Sequence, residues 1–315
     1  MTSNAPVPSR SFDVTILMGV HNGALHLGEQ LRSIAAQTCP HWNLICADDG
    51  STDESRAILS AFQRQTPARI VLKDGPGRGF SANYMQMIAT LPATAGFVAF
   101  ADQDDIWLPG KIDRALAVLG QSSQPMLYCG RQVLWYPGQA RSAMTPARHR
   151  PAGLRNALIE NIAHGNTIVL NPAAARLAQE AALRTGPVFA HDWWLYLLIA
   201  ACGGQVIHDN GPPLIHYRQH GGNAIGAGRG WRAQITRKKG VLRGVFAERV
   251  AGNLAALGAV DDQLTAEARQ IIADFSKARA CRTAGRLAGL RRIRPYRQNW
   301  RASLGFWGAA SLGLV

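Results

Sequence analysis

The sequence predicts an α/β fold: a mixed, mostly parallel sheet with flanking helices, followed by a basic helical extension. Short β-rich apolar runs alternate with helical patterns of about ten to fifteen residues, the signature of βαβ units. Turn-forming and acidic residues stand at the ends of those runs. The charge is also unevenly spread. The chain has 34 Lys+Arg and 20 Asp+Glu, a net of +14; residues 226–315 hold 17 and 5, a net of +12, which leaves 17 and 15, a net of +2, for residues 1–225. With 47% hydrophobic residues in 315, a sizeable core is available and a wholly disordered chain is excluded.

Val14–Val20 reads as the first strand, ending in the turn signal His21-Asn22-Gly23. Leu25–Gln37 carries the helical period at Leu27, Leu31 and Ile34, and Trp42–Ala47 is a buried strand. Ser51-Thr52-Asp53-Glu54 has the spacing of a capping box and opens a helix to about Gln65. Ala68–Leu72 is the third strand, Phe80–Leu91 a helix, and Gly96–Ala101 the fourth strand. Beyond it the pattern predicts a helix over Pro109–Leu119, one strand over Met126–Trp135, a Pro/Arg-rich loop over Tyr136–Pro151 and a strand over Ile162–Leu170. Helices follow near Ala173–Ala182 and His191–Ala201, then a short strand at Ile215–Arg218. Gly221–Gly230, with five glycines in ten residues, reads as a hinge or mobile loop, and basic helical patterns at Val241–Leu257 and Leu264–Ala280 follow it. The domains expected are 1–226, carrying the sheet, and 227–315, a basic helical region.

Cys39, Cys46, Cys129, Cys202 and Cys281 are odd in number and form no CxxC pair, which points to a reducing compartment and away from a zinc site. Residues 1–11 lack the long apolar run of a signal peptide, and no stretch of about 18 apolar residues suggests a spanning helix.

Right-handed crossovers place the strand C-terminal ends on one edge, where open α/β sheets bind ligands. His21-Asn22, Asp48-Asp49 and Asp102–Asp105 are expected to converge there. Asp49 suits a base or ribose contact, although Asp and Ser at this position also suit a turn and a helix cap. Asp102-Gln103-Asp104-Asp105 puts three carboxylates in four residues, a repulsion that a divalent cation relieves; hard oxygen ligands without Cys suit Mg²⁺ or Mn²⁺. Asp192, opening a helix, suits either the macrodipole or general-base work, and Trp193 and Trp194 either the core or sugar stacking. His216, Arg218 and His220 surround a short strand and could contact a diphosphate or a metal. The glycine-rich Lys73–Asn83 lacks GxGxxG and GK[ST] and is a weak nucleotide signal.

VTILMGVHNG, ADDGSTDES, GRGFSANY and ADQDDIWLPGKI, in this order and spacing, resemble family 2 glycosyltransferases of the GT-A fold, a Rossmann-like α/β architecture. GNTIVLN, HDWWLY and PLIHYRQHGGNAIG resemble the bacterial rhamnosyltransferase-like branch, and the likeness spans residues 12–226. The resemblance implies an inverting transfer of a sugar from a nucleoside-diphosphate donor. It implies nucleotide-sugar roles for His21, Asn22, Asp49, Asn83, Asp102 and His220, metal contacts from Asp104 and Asp102, and Asp192 as catalytic base. His21 departs from the Tyr common in relatives, which leaves the base contact open. The donor implied is dTDP-rhamnose or another UDP- or GDP-sugar, the cofactor Mg²⁺ or Mn²⁺, and the acceptor a glycan or polyprenyl-linked glycan in cell-surface polysaccharide synthesis.

The mix of Arg291, Arg292, Arg294, Tyr296, Trp300, Phe306 and Trp307 suggests peripheral contact with the inner face of the cell membrane from the cytoplasm, or a helical appendage packed on the sheet domain. The basic pI of about 10.3 admits a nucleic-acid-binding alternative. The acidic strand tips count against it, so no nucleic acid is expected.

Overall fold

The computed structural model describes residues 13–138, 142–220 and 244–315. In chain order the first part holds β1 (Val14–Val20), α1 (Ala24–Ala35), β2 (Trp42–Asp48), α2 (Ser55–Gln65), β3 (Ile70–Asp74), α3 (Phe80–Ala89) and β4 (Phe97–Ala101). β5 (Ile106–Trp107), α4 (Lys111–Leu119), β6 (Met126–Gly130), β7 (Val133–Trp135), β8 (Ser142–Met144) and α5 (Leu154–Ala157) follow. Next come β9 (Val169–Leu170), α6 (Pro172–Ala182), α7 (His191–Ala201), β10 (Gln205–Asp209) and β11 (Ile215–Arg218). The C-terminal part contributes α8 (Val245–Gly258), α9 (Ala266–Ala280), α10 (Thr283–Ile293) and α11 (Trp300–Ser311). The predicted glycine-rich hinge at 221–230 and the boundary at 226/227 lie outside the described residues.

Seven strands form one sheet in the order β10-β6-β9-β4-β1-β2-β3, and β5-β11-β7-β8 form a smaller one. β1 pairs in parallel with both β2 and β4, β2 with β3, and β10 with β6. β9 alone runs against its neighbours β4 and β6, so those two share a direction and every long strand ends on the same edge. Helices cover both faces, which is why β1 and β4 read as unbroken apolar runs. Successive side chains alternate between faces. Ile16 and Met18 enter the core on one face with Leu44 and Ala99; Leu17 enters the other with Ile45, Phe100 and Leu127.

The sequence reading merged elements that the structure separates. Met126–Trp135 is two strands in two sheets, divided where Arg131 and Gln132 leave the large sheet. Of Ile162–Leu170 only Val169–Leu170 pairs, after a 3-10 turn at Gly165–Thr167. The capping box at Ser51 does not form. α2 starts at Ser55 with no side-chain cap, because the Ser51 hydroxyl donates to the Asp48 carboxylate instead. By contrast Asn171 does cap α6, accepting the Ala174 N–H at 2.9 Å with Pro172 in the first turn.

α7 is buried almost all round, with Trp193, Trp194, Tyr196, Leu197 and Leu198 all in the core. The two tryptophans are therefore packing residues; the Trp193 indole N–H donates to the Ala157 carbonyl at 2.7 Å. One face of α7 meets the sheet layer and the other meets the C-terminal helices. Leu257, Phe275, Leu290 and Phe306 join the same contiguous apolar cluster as Leu17 and Phe100. All five cysteines are free.

This shared core has a measurable consequence. Phe275, 1% exposed on α9, is expected to cost about 3–5 kcal/mol when cut to Ala. Calorimetry should show one cooperative transition that moves as a whole. A separate low-temperature transition confined to the C-terminal helices would contradict a common core.

Candidate active site

Val20, Asp48, Asp74, Ala101, Gly130 and Asp209 end parallel strands on one edge, so the segments after them meet there. Asn22, at φ 47°, turns the chain after β1 in the left-handed region that Asn tolerates. Its backbone N–H donates to Ser51 Oγ at 2.9 Å, and its side-chain oxygen accepts the Thr52 N–H at 2.8 Å. The His21 ring lies beside Asp49: Nδ1–H donates to the Asp49 carbonyl at 3.1 Å, which leaves Nε2 to accept from Asn22 Nδ2 at 3.3 Å. Gln103 grips the His21 backbone from the acidic loop, accepting its N–H at 2.8 Å and donating to its carbonyl at 3.0 Å. The first, second and fourth strand tips are thus tied together by hydrogen bonds.

The glycine-rich segment before α3 turns its N–H groups toward Asp49, which occupies them from inside the fold. Gly77 N–H donates to Oδ1 at 2.7 Å and Gly79 N–H to Oδ2 at 2.6 Å. Gly77 and Gly79 sit at φ 64° and 88°, and a Cβ on Gly75 would lie 2.7 Å from Asp49 Oδ1, so this wrap requires glycine. Asn83 is buried behind it, at 1% exposure, with Nδ2 donating to the Ala47 carbonyl at 2.7 Å. It shapes the loop from within the fold.

The acidic loop after β4 is held by Arg218 of β11. This guanidinium, 4% exposed, pairs with Glu29 of α1, donates through Nε to the Asp104 carbonyl at 2.8 Å and stacks over Trp135 at 4.3 Å. Its backbone N–H donates to Asp105 Oδ1 at 3.2 Å, and Asn166 Nδ2 donates to Oδ2 at 2.5 Å. His220 Nε2–H donates to Asp104 Oδ2 at 2.7 Å. Burial, then the charges of Asp104 and Asp192, pushes the Asp102 carboxyl up to about 7. Burial also raises Asp105 well above the carboxylate range and draws Lys111, lying over the Trp107 ring, down to about 7.

Asp192 opens α7 on the opposite side of Asp102. Oδ1 accepts the Trp193 N–H at 2.6 Å and Oδ2 the Gly165 N–H at 3.2 Å. Burial raises its carboxyl to about 6, against hydrogen bonds that pull it down. His191 beside it is buried and stacks on Tyr84 at 4.0 Å; burial holds it down at about 3, a neutral ring. The structure therefore gathers Asp102, Asp104, Asp192 and His220 at one end of the edge and His21, Asn22 and Asp49 at the other, with Gln103 between.

Among the described residues no three acidic, His or Cys groups form a closed metal cage. A Mg²⁺-type site needs only one or two carboxylates when substrate phosphates and water complete the shell. Asp102 and Asp104 fit that requirement: both are hard oxygen donors, and the Asp102 carboxyl is raised by burial and then by the neighbouring charges. A cavity of about 320 Å³ opens at the other end of the strands, lined by Thr15, Asn43, Arg69 and Lys73. It holds no carboxylate cluster, and the functional edge is assigned by the converging strand tips.

Residues 15–160 match the model of the family described as Glycosyl transferase family 2. The chain is 25% identical over 227 residues to the dTDP-rhamnosyl transferase RfbG of Shigella flexneri, covering 70% of this chain and 77% of that protein. It is 24% identical over 121 residues to the UDP-Glc:alpha-D-GlcNAc-diphosphoundecaprenol beta-1,3-glucosyltransferase WfgD of Escherichia coli, covering 38% of this chain and 46% of that one. Among solved structures, S. aureus TarS 1-349 in complex with UDP-GlcNAc superposes with a TM-score of 0.52 at 14% identity, over 79% of this chain and 71% of that chain. That likeness shows a shared GT-A fold.

The raised Asp192 carboxyl makes a stability prediction. The folded chain holds this proton more tightly than the unfolded chain, whose carboxyl titrates near 3.8, so the contribution is present at low pH and is lost as pH rises through about 6. Asp192→Asn keeps an oxygen for the Trp193 N–H and removes the buried charge, while giving up the longer bond from the Gly165 N–H. It is expected to be more stable than the natural chain by about 1–3 kcal/mol at pH 8, with the gain vanishing toward pH 4. Urea melts at both pH values check this, and an unchanged midpoint at pH 8 contradicts it.

Proposed function

As the chain carries a family 2 glycosyltransferase domain, we propose that it is an inverting enzyme that moves rhamnose from dTDP-rhamnose to a glycan or polyprenyl-linked glycan acceptor in cell-surface polysaccharide synthesis. The observation that carries this reading is the meeting of Asp102, Asp104 and Asp192 where separate elements end at one sheet edge. The donor sugar follows the name of RfbG. A UDP-sugar donor is the second reading, favoured by the name of WfgD.

On this reading the nucleotide lies along the β1–β2 tips, with His21, Asn22 and Asp49 framing the base and the Asn83-backed loop closing that side. The sugar and diphosphate lie at Asp102, Asp104 and His220. Asp192 takes the proton of the acceptor hydroxyl as its oxygen bonds to the anomeric carbon, and the glycosyl–phosphate bond breaks with its electron pair on the departing nucleoside diphosphate. A carboxyl near 6 is ionised at neutral pH and still basic enough for this work. Asp104 and Asp102 would hold Mg²⁺ or Mn²⁺, which when bound would supply Lewis-acid charge toward the leaving diphosphate.

On the same reading the enzyme works at the cytoplasmic face of the membrane. No helix among the described residues is long and apolar enough to cross a bilayer. On α11 and the turn after it, Trp300, Leu304 and Leu312 are 66%, 60% and 71% exposed; Arg301 lies over the Trp300 ring, and Arg291, Arg292 and Arg294 are exposed at the end of α10. This pattern suits an anionic lipid surface. Phe306 packs inward, and the Tyr296 hydroxyl donates to the Pro151 carbonyl, so neither belongs to that surface.

A thermal-shift screen of nucleoside-diphosphate sugars with Mn²⁺ or Mg²⁺ tests the donor reading, with dTDP-rhamnose expected to stabilise most. Asp104→Ala is expected to lose the metal-dependent part of that shift. Asp192→Asn is expected to keep the shift and lose transfer by about 10²–10⁴-fold, and in the natural chain kcat/KM should fall below about pH 6. Normal turnover by Asp192→Asn sinks its assignment as base. For the membrane, Trp300→Ala with Leu304→Glu should reduce co-sedimentation with phosphatidylglycerol vesicles; undiminished binding contradicts the surface named here.

A further inference from the structure

The strand-tip edge changes sign along its length. On the far side of Asp192 from the acidic loop, Arg131 follows β6, His208 lies near the end of β10, and His164 precedes the turn into β9. Arg148 is fastened there by Asn210: its backbone N–H donates to Asn210 Oδ1 at 2.8 Å, and its carbonyl accepts Asn210 Nδ2 at 2.7 Å. Arg131 is held by hydrogen bonds from Nε to the Thr145 carbonyl at 2.9 Å, from Nη1 to the Asn210 carbonyl at 3.3 Å and from Nη2 to Met144 Sδ at 3.8 Å, which leaves one N–H on each terminal nitrogen. Neither guanidinium forms an ion pair among the described residues, and Arg148 Nε is buried without a hydrogen-bond partner. The carboxylate at this corner, Asp209, is engaged by Arg114 and by the Tyr128 hydroxyl at 2.8 Å.

Burial, and after it the Arg148 charge, holds both His164 and His208 down at about 4. Each is a neutral ring that offers a hydrogen bond rather than a charge. Partly desolvated guanidinium groups without a counter-charge are costly, and an oxyanion relieves that cost through paired N–H donors. The corner adjoins the reaction site directly: His164 precedes Gly165, whose N–H reaches Asp192.

We propose that Arg131 and Arg148, with His164 and His208, form an acceptor subsite for an oxyanion carried by the acceptor beside its reacting hydroxyl. The inference rests on the reading of Asp192 as the group facing the acceptor. The donor diphosphate is assigned to the acidic loop on the other side of Asp192, so this corner serves a second anion. Its chemistry is that of a phosphate ester or a sugar carboxylate, recognised by two guanidinium groups.

The test uses the full chain, with the donor site saturated by the nucleoside diphosphate that stabilises it in the screen above, plus Mg²⁺. Decyl diphosphate, decyl glucuronide and neutral decyl glucoside are titrated calorimetrically. At least one acidic probe is expected to bind, and Arg148→Gln and Arg131→Gln each to weaken it by about tenfold or more. Arg148→Lys, which keeps the charge, should recover part of that loss. Preference for the diphosphate identifies a phosphorylated carrier, and preference for the glucuronide an acidic sugar. The proposal is overturned if neither acidic probe binds the natural chain, or if both Gln variants bind as tightly as it does. Failure of every nucleoside diphosphate to bind would instead remove the donor reading on which the inference rests.

Discussion

Carboxylates at Asp102, Asp104, Asp105 and Asp192 crowd one end of a sheet edge, and their mutual repulsion is the constraint around which the site is built. Left alone, such a loop would open toward water. Arg218 prevents this from a buried position, holding the Asp104 carbonyl, the Asp105 carboxylate through its own N–H, and Glu29 on a separate helix. Lys111 brings a second cation beneath the loop, near Asp105. Repulsion is reduced further by protonation, since Asp102 and Asp105 are both raised by burial and by their neighbours. Asp102 and Asp104 are the pair that faces the donor on the reading proposed above.

The β1–β2 end of the edge is held by a different set of contacts. Gln103 carries the rigidity of the acidic loop to His21 through a two-way backbone clamp. Asp49 draws the glycine loop inward with its carboxylate while its carbonyl fixes the His21 ring. The weak resemblance of that glycine segment to a phosphate loop thereby finds another explanation: its N–H groups are satisfied by a carboxylate of the protein. A helix terminus that must greet an external phosphate keeps those donors outward.

Legibility from sequence followed the range of the interactions. β1 to β4 and the helices between them were readable because local periodicity and burial on both faces agree. The convergence of His21, Asp49 and Asp102 followed from crossover handedness alone. β5, β8 and β10 were not readable: their pairing is set by distant partners, and Gln205–Asp209 carries polar residues at an edge of the sheet. Arg218 was visible only as one cation among several, since nothing local shows that it reaches 114 residues back to Asp104. Asn83, which its motif suggests as a donor contact, lies buried behind the glycine loop with its amide on the Ala47 carbonyl, a placement that local sequence does not reveal. The C-terminal helices read as basic helical patterns, but their apolar sides join the same core as α7, whose all-round hydrophobicity asks for neighbours on both sides.

That shared core bears on how the site works as a whole. α7 carries Asp192 on its first turn, and its position is set by the sheet layer on one side and α8 to α11 on the other. The basic helices therefore help aim the group assigned as base, whether or not they also touch a membrane. His164 and Gly165 link the same carboxylate to the cationic corner at β6 and β10. On the reading proposed above, an acidic end at Asp102 and Asp104 and a basic end at Arg131 and Arg148 lie on the two sides of Asp192. A donor and an acceptor that both carry negative charge would repel each other in water. A divalent cation held by the carboxylates would face the one and the guanidinium groups the other, so that the two could approach without either being drawn into the other's place.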